Sequence, residues 1–433
     1  MQDLQAIVDE AVARSGVVGA GAAVLNRGDI VEAVSGTANV ATGLPATPDT
    51  LFQIGSTTKL HNAALVMSLV ERGELDLDVP VSAYIGDVWP LEATLRQLLS
   101  HTGGLEGGPK ADLGDGAGSV ERFVIESRER QPLAKPGEVF SYSNIGIVVT
   151  GYVVERVLGQ IWDDALRERI LEPAGLERSV TLLKELVYHP VAVGHAVGED
   201  GAVDLLRPFS FGRCRAPAGS TLCTSVGDLA RWAAVFLAGG ASSSGTRVLD
   251  PSSVDAMHEP QVDVPARGIA EQWCPGPFTN ALGAYASWGH AGGNFGGGSH
   301  LFWVPELDLA IATASNTPGR IRGFERIVHE AVLEPFGVQL LQPEVPRPIE
   351  GIDLDALAGV YATTDVEVTF EAAGDRLRLR APGFDGVELL PLDDRRFRHA
   401  EGSVWDTVAF LGDEGGKATH VLMKAVNGLR RVA

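Results

Sequence analysis

The stretch Ser56-Thr57-Thr58-Lys59 stands at the start of a segment with helical periodicity. Apolar residues recur every three or four positions through 57–72, and Gly73 supplies a stop signal after them. The hydroxyl of Ser56 and the amine of Lys59 therefore share one helix face about one turn apart. A serine hydroxyl becomes a good nucleophile when a base removes its proton, and a desolvated lysine can do so. The alternative is a helix N-cap serine with a solvent-facing lysine.

Tyr142 and Asn144 follow the turn-forming pair Pro136-Gly137, which predicts that both side chains project from a loop in the same direction. A phenol beside a lysine ammonium can ionise or relay a proton. An amide can bind a substrate carbonyl or hold the lysine in place. The alternative interpretation of Tyr142 is a packed tyrosine beside a turn.

His290 is followed closely by Gly292 and Gly293 and precedes a β-rich run that begins near Ser299. The pattern predicts a strand at a sheet edge, where glycines permit close backbone approach. Backbone N–H groups of such a strand, together with that of Ser56, would form an oxyanion hole. The glycine cluster lacks the Lys-Ser/Thr of a phosphate loop and favours a hairpin connection. A structural histidine is the alternative for His290.

The rest of the first 340 residues predicts an α/β arrangement. An opening helix precedes a β-hairpin formed by 19–25 and 30–34, and the middle, 78–267, is predicted to be an all-helical lobe. Two β-rich runs within 299–314 precede a helix over 321–333. Strands from both ends of this region are therefore expected to share one sheet.

A proline-rich stretch, 342–348, is the best candidate for a linker. We predict a catalytic domain over 1–338, a linker over 339–350 and a second domain over 351–433. The last segment contains short alternating runs broken by glycine and aspartate, which are typical of an antiparallel β-barrel or sandwich of lipocalin-like size.

Composition excludes several classes of function. The 433 residues carry a formal net charge of -21 without a dense Lys/Arg run, which disfavours a nucleic-acid partner. No uninterrupted apolar run approaches a membrane span, and the first residues lack a signal-peptide pattern, so we expect a cytoplasmic protein. The 3 cysteines match neither a zinc nor a redox spacing and are interpreted as buried thiols. No cofactor or metal is expected.

The motifs Ser-x-x-Lys, Tyr-x-Asn and His-x-Gly, which begin at Ser56, Tyr142 and His290, resemble in order and separation those of the serine β-lactamase and penicillin-binding-protein superfamily. The branch is the one similar to class C β-lactamases, D-aminopeptidases and related esterases. A fourth match, 98–105, is interpreted as structural, and the resemblance covers roughly 7–338. It implies a β-lactamase/transpeptidase-like antiparallel sheet with an all-helical lobe.

The resemblance also assigns functions to residues. It implies catalytic roles for Ser56, Lys59, Tyr142 and His290. It implies substrate-binding roles for Asn144, Gly292 and Gly293. His290 stands where many members carry the lysine of a Lys-Thr-Gly motif, which weakens recognition of a β-lactam carboxylate by a fixed charge. Antibiotic hydrolysis is thereby disfavoured.

One subgroup of this superfamily is especially similar: stand-alone penicillin-binding-protein-type thioesterases, which release nonribosomal peptides as macrolactams and carry a lipocalin-like carboxy-terminal domain. The segments 216–223 and 428–431 resemble parts of that subgroup. The resemblance implies a peptide substrate presented on a carrier protein as a thioester, with Tyr142 or Lys59 as base. It places Arg430 or Arg431 near a substrate polar group, the alternative being solvated arginines of a final strand.

Other outcomes of the same chemistry stay open. A D-stereospecific peptidase, amidase or esterase would use water as the acyl acceptor. A β-lactamase and an inactive binding protein that keeps the fold are further alternatives. We also expect a lowered pKa for Lys59, because it must lie close to Ser56 in an enclosed site.

Overall fold

The computed structural model describes residues 3–109, 112–210, 212–267, 269–340, 344–381, 384–400, 407–423 and 427–433. Its first part is a large sheet with helices on both faces, and its last part is a closed β-barrel. The sequence prediction of a mixed α/β fold with a carboxy-terminal antiparallel barrel is therefore confirmed.

The helices and strands begin and end at the following residues. The helices are α1 (Leu4–Ser15), α2 (Thr58–Val70), α3 (Ser82–Ile85), α4 (Leu95–Leu99), α5 (Ser119–Ser127), α6 (Asn144–Leu158), α7 (Trp162–Leu166), α8 (Glu172–Ala174), α9 (Val226–Leu237), α10 (Pro251–His258), α11 (Ile321–Leu333) and α12 (Leu354–Leu357). The strands of the first part are β1 (Gly19–Asn26), β2 (Asp29–Asn39), β3 (Leu44–Pro45), β4 (Phe52–Gln53), β5 (Ser179–Val180), β6 (His195–Val197), β7 (Val203–Leu205), β8 (Cys223–Thr224), β9 (Val262–Asp263), β10 (Gln272–Trp273), β11 (Phe278–Leu282), β12 (Tyr285–Asn294), β13 (Gly297–Val304) and β14 (Leu309–Ser315). The barrel strands are β15 (Gly359–Ala362), β16 (Glu367–Ala373), β17 (Arg376–Ala381), β18 (Phe384–Pro391), β19 (Arg396–His399), β20 (Thr407–Leu411), β21 (His420–Met423) and β22 (Asn427–Arg431).

The main sheet joins strands from the two ends of the first part. Its order among the described residues is β3-β2-β1-β14-β13-β12-β11-β10-β9. Strand β1 pairs antiparallel with β14, and Ala20 lies opposite Ser315. Helices α1 and α11 pack on one face of the sheet, while α9 and the helical lobe pack on the other. Strand β1 is therefore buried on both faces, and its run of small and apolar residues reflects this.

The helical lobe surrounds α2, whose residues from Thr58 to Leu69 are all buried. The prediction of an all-helical lobe is incomplete, because β4, β8 and β5 form a small sheet and β6 pairs with β7. Pairings such as Phe52 opposite Thr224 involve only two residues per strand, too few for an alternating pattern in the sequence. The three cysteines are buried, as predicted.

No single helix in the described part of the chain combines the length and apolar composition needed to cross a membrane. The helical segments Asn144–Leu158 and Trp162–Ala174 meet those criteria only when taken together, across a bend of 85°.

The barrel runs from β15 to β22 and closes on itself among the residues that are described. Its interior is filled by side chains, among them Tyr361, Phe370, Phe397 and Phe410, which pack edge to face. Aromatic pairs of this kind add to the stability that burial alone provides. The barrel is thus a packed core of its own.

The barrel contacts the first part through a charged cluster and an apolar patch. Arg130 forms ion pairs with Glu106 and with Asp365 of the barrel. The Thr364 amide donates a hydrogen bond of 2.9 Å to Glu106 Oε2. The apolar patch joins residues of both parts: Phe140, Trp273, Ala409 and Leu422. The predicted domain limits stay a prediction, and residues 341–343 of the predicted linker lie outside the described residues.

We predict that Arg130→Ala lowers the free energy of unfolding by about 3 kcal/mol, because it leaves Glu106 as an uncompensated buried charge. The Glu106 side chain is 2% exposed. Urea denaturation followed by circular dichroism measures the effect. Arg128→Ala is the matched control, since its ion pair with Glu129 is exposed and is worth less than about 1 kcal/mol. Equal losses in both variants would contradict the prediction.

Candidate active site

Ser56 lies in a single 3-10 turn, Gly55–Thr57, that leads directly into α2. Ser56 is partly exposed, whereas the residues on either side of it are buried. Two glycines make this turn possible. A Cβ on Gly55 would lie 2.5 Å from the Gly293 amide nitrogen, and a Cβ on Gly219 would lie 2.1 Å from the Gly55 carbonyl oxygen. The backbones of Gly293 and Gly219 therefore pack against the serine turn so closely that only glycine fits at positions 55 and 219.

Lys59 points inward from the first turn of α2 and is 1% exposed. Its Nζ donates hydrogen bonds of 2.8 Å to Ser56 Oγ and of 2.8 Å to the Ala218 carbonyl oxygen. Burial holds the pKa of Lys59 well below its usual range, and the nearby charge of Arg215 adds to this effect. The interpretation as a solvent-facing lysine is excluded. A neutral Lys59 amine next to Ser56 Oγ can accept the hydroxyl proton.

Tyr142 lies on the loop before α6, where Ser143 caps the helix by accepting a hydrogen bond of 3.1 Å from the Gly146 amide. Lys59 Nζ is 4.8 Å from the centre of the Tyr142 ring. Burial raises the pKa of Tyr142, while a hydrogen bond with the Ser56 side chain and the charge of Arg215 act in the opposite direction. The phenol is therefore protonated in the free enzyme. It can relay a proton at Ser56, but the structure disfavours a stable tyrosinate.

His290 lies within β12 and is buried at the same site. Its Nδ1 donates a hydrogen bond of 2.6 Å to the Ala291 carbonyl oxygen. Its Nε2 has no hydrogen-bond partner among the described residues. Burial, with a smaller effect of Lys59, lowers the pKa of His290 to about 3. The ring is neutral and supplies no fixed positive charge.

The predicted substrate-binding glycines lie against the serine turn. A Cβ on Gly292 would lie 1.8 Å from the Ile54 carbonyl oxygen and 2.9 Å from the Ser56 amide nitrogen. Ser299 on the neighbouring strand fixes this contact, because its Oγ donates a hydrogen bond of 2.8 Å to the Ile54 carbonyl oxygen. Gly293 is exposed beside this contact. The backbone of β12 thus approaches Ser56 at the position expected for an oxyanion hole.

Asn144 is the first residue of α6, and its amide donates a hydrogen bond of 3.1 Å to the Gly107 carbonyl oxygen. Its side chain is partly buried. The expectation that Asn144 lies on the same loop as Tyr142 is therefore corrected: Tyr142 lies on the loop, and Asn144 begins the helix that follows it.

The two carboxy-terminal arginines differ. The guanidinium of Arg431 donates hydrogen bonds of 3.1 Å to the carbonyl oxygens of Ala356 and Ala418 and also contacts Tyr361. The expectation that Arg431 binds substrate is therefore corrected: its donors are used by barrel carbonyls. Arg430 is exposed on β22, and its proposed contact with substrate stays a prediction.

Sequence reasoning missed two groups at the site. Arg215 is buried in the segment Arg213–Ala218. Its charge adds to the effect of burial on the pKa of Lys59 and opposes the rise that burial causes in the pKa of Tyr142. His101 packs against Tyr142 with ring centres 4.3 Å apart. His101 stands inside the motif 98–105, but nothing in that motif signals contact with Tyr142.

Known proteins are similar to this chain over most of its length. The family model described as Beta-lactamase matches residues 4–337. Penicillin-binding protein 4 of Amycolatopsis lactamdurans is 34% identical over 363 residues, which cover 80% of this chain and 93% of that protein. The unguisins hydrolase ungD' of Aspergillus campestris is 26% identical over 340 residues, which cover 73% of this chain but only 61% of that protein.

The solved structure of SurE matches the chain including the barrel. The match covers 99% of this chain and 98% of the SurE chain, with a TM-score of 0.84 and 29% identity. A second structure, of SurE with D-Leu, matches with a TM-score of 0.83 and 28% identity.

We predict that Ser56→Ala abolishes covalent labelling by a fluorophosphonate probe, because the reactive hydroxyl is removed. Mass spectrometry of the intact protein measures the adduct. Ser68→Ala is the matched control, since Ser68 lies on α2, which directly follows the Ser56 turn, and its hydroxyl donates to the Leu65 carbonyl oxygen. Labelling that survives in Ser56→Ala would show that another group is the nucleophile.

The pH dependence of acylation tests Lys59. The base must be deprotonated, so the acylation rate should rise with pH and level off well below the usual lysine range, because the pKa of Lys59 is lowered. Stopped-flow bursts with an activated ester between about pH 5 and 10 measure this rise. Lys59→Ala should abolish the rise of the acylation rate with pH and lower that rate about 10²-fold or more. A rise centred at the ordinary lysine pKa would contradict the prediction.

Proposed function

Because the chain belongs to the Beta-lactamase family, within the serine β-lactamase and penicillin-binding-protein superfamily, we propose that it transfers a peptidyl group to Ser56 and releases the peptide as a head-to-tail macrolactam. Proteins of this superfamily act as serine hydrolases or acyltransferases. The observation that carries the proposal is the 2.8 Å contact between a buried Lys59 Nζ and Ser56 Oγ.

The first half of the reaction forms an ester on Ser56. Lys59 accepts the hydroxyl proton as Ser56 Oγ attacks the carbonyl carbon of a peptidyl thioester. The backbone N–H groups of Ser56 and Gly293 stabilise the oxyanion. The carbon–sulfur bond breaks, and the departing thiolate takes the proton from Lys59. The amine of Lys59 is then neutral again.

The second half releases the peptide. The amino group of the peptide attacks the ester carbonyl, and neutral Lys59 accepts the proton that the amine loses. Tyr142 donates its phenolic proton to Ser56 Oγ as the ester bond breaks. It can do so because the Tyr142 hydroxyl is protonated and lies within hydrogen-bond reach of the Ser56 side chain. Lys59 then returns a proton to Tyr142. The result is a macrolactam and the free enzyme.

Two features support an amine as the acyl acceptor. The likeness to SurE extends over the barrel as well as the first part, and one SurE structure contains D-Leu, an amino acid of the kind that nonribosomal peptides contain. The barrel packs beside the Tyr142 loop, where the Gly428 amide donates a hydrogen bond of 3.3 Å to Ser141 Oγ. We propose that the barrel at this loop restricts the access of water, which competes with the amine. Separately, the neutral ring of His290 offers no charge for a β-lactam carboxylate, which disfavours antibiotic hydrolysis.

Hydrolysis of the same intermediate is the second candidate. The similarity to the unguisins hydrolase ungD' favours it, since that protein is named as a hydrolase. In this version water replaces the peptide amine, and Lys59 deprotonates the water. A cytoplasmic location and a carrier protein as partner belong to the cyclase proposal.

A synthetic peptidyl thioester distinguishes the two candidates. We expect a product lighter than the linear acid by one water, and faster turnover of peptides that end in a D-residue than of their L-counterparts. Mass spectrometry identifies the product. The same peptide with an acetylated amino terminus is the control, because it can acylate Ser56 but cannot cyclise. Linear acid as the only product across several peptides would favour hydrolysis and refute the cyclase.

A further inference from the structure

His101 follows α4 and adopts a backbone conformation that is rare for a residue with a side chain. Its φ is 60°, in the left-handed region. Such a conformation costs about 1 kcal/mol or more and persists where the surroundings impose it. His101 is also buried. The chain therefore accepts backbone strain at a position that contacts Tyr142.

His101 binds the backbone on both sides of Tyr142. The amide of Ser141 donates a hydrogen bond of 2.9 Å to the His101 carbonyl oxygen. The amide of Ser143 donates a hydrogen bond of 3.2 Å to His101 Nδ1. The imidazole ring packs against the phenol between these two amides, with ring centres 4.3 Å apart. One residue thus holds Tyr142 by its backbone and by its ring.

We propose that His101 is a positioning residue, which fixes the Tyr142 hydroxyl at Ser56 by accepting hydrogen bonds from the two amides that flank Tyr142. This inference rests on the proposed role of Tyr142 in the reaction. A phenol that must deliver a proton to a departing oxygen loses rate steeply when it moves by about 1 Å. Loops do not usually provide that precision, and His101 supplies it here.

The proposal requires one form of the His101 ring. Since Nδ1 accepts from the Ser143 amide, the ring must be neutral and carry its proton on Nε2. Burial holds the pKa of His101 well below its usual range, which keeps the ring neutral. The neighbouring Ser143 Oγ donates a hydrogen bond of 2.7 Å to the Glu106 carbonyl oxygen, so the far side of the loop is also fixed.

Three substitutions separate the ring, the acceptor and the backbone strain. His101→Asn keeps an acceptor atom at the same number of bonds from the backbone as Nδ1 and tolerates a positive φ. His101→Gly relieves the backbone strain but removes the imidazole ring and its Nδ1 acceptor. His101→Phe keeps a ring without an acceptor. We expect the turnover number to fall about tenfold or more in the Gly and Phe variants with KM unchanged, and to stay within about threefold in the Asn variant.

A double-mutant cycle tests whether His101 acts through Tyr142. Tyr142→Phe alone should lower turnover about 10²-fold, and His101→Gly should add almost nothing in that background. If the losses of turnover in the two single variants multiply in the double variant, the two residues act independently and the inference is overturned. Full activity of His101→Gly would also overturn it. So would a His101→Asn variant that is as slow as His101→Gly. Full activity of Tyr142→Phe would instead refute the proposed function of Tyr142.

The wild-type enzyme provides a test that does not depend on how the variants fold. In protein labelled with ¹⁵N-histidine, the His101 nitrogen shifts should report a neutral ring with its proton on Nε2 from about pH 5 to 9. A ring protonated on Nδ1 anywhere in that range could not accept from Ser143 and would overturn the inference.

Discussion

The placement of a lysine amine inside a dry protein interior is the constraint on which the site depends. A charged Lys59 would lose most of its hydration there, so its pKa falls and the amine becomes a base. The surroundings agree with a neutral form. The Ala218 carbonyl oxygen accepts a hydrogen bond from Nζ, and the rings of His290 and His101 are held uncharged by the same burial. The positive charge of Arg215 adds to the effect.

Much of the fold could be predicted from the sequence. Helix α11 has the predicted bounds, 321–333, because it buries one face and its apolar period is visible. One sheet that contains strands from both ends of the first part was also predicted, because β-rich runs occur at both ends. Two-residue strands such as β5 carry no period, so the small sheets of the lobe could not be predicted.

The residues that meet at Ser56 were predicted through the order of their motifs, and their distances required the structure. His101 could not be found in this way, because its contacts depend on how two loops cross, and no periodicity encodes that. Arg431 shows the opposite error. The resemblance implied a substrate contact for Arg430 or Arg431, but the long side chain of Arg431 turns back to nearby barrel carbonyls.

The pairing of β1 with β14 also bears on how the chain is synthesised. Helix α2, with its run of buried residues, leaves the ribosome long before the strand that completes the sheet over it. Contacts between such distant segments form slowly, and apolar surface stays uncovered in the meantime. The nascent protein therefore spends most of its synthesis with a hydrophobic helix exposed. Assistance from chaperones and slow refolding after denaturation are the expected consequences.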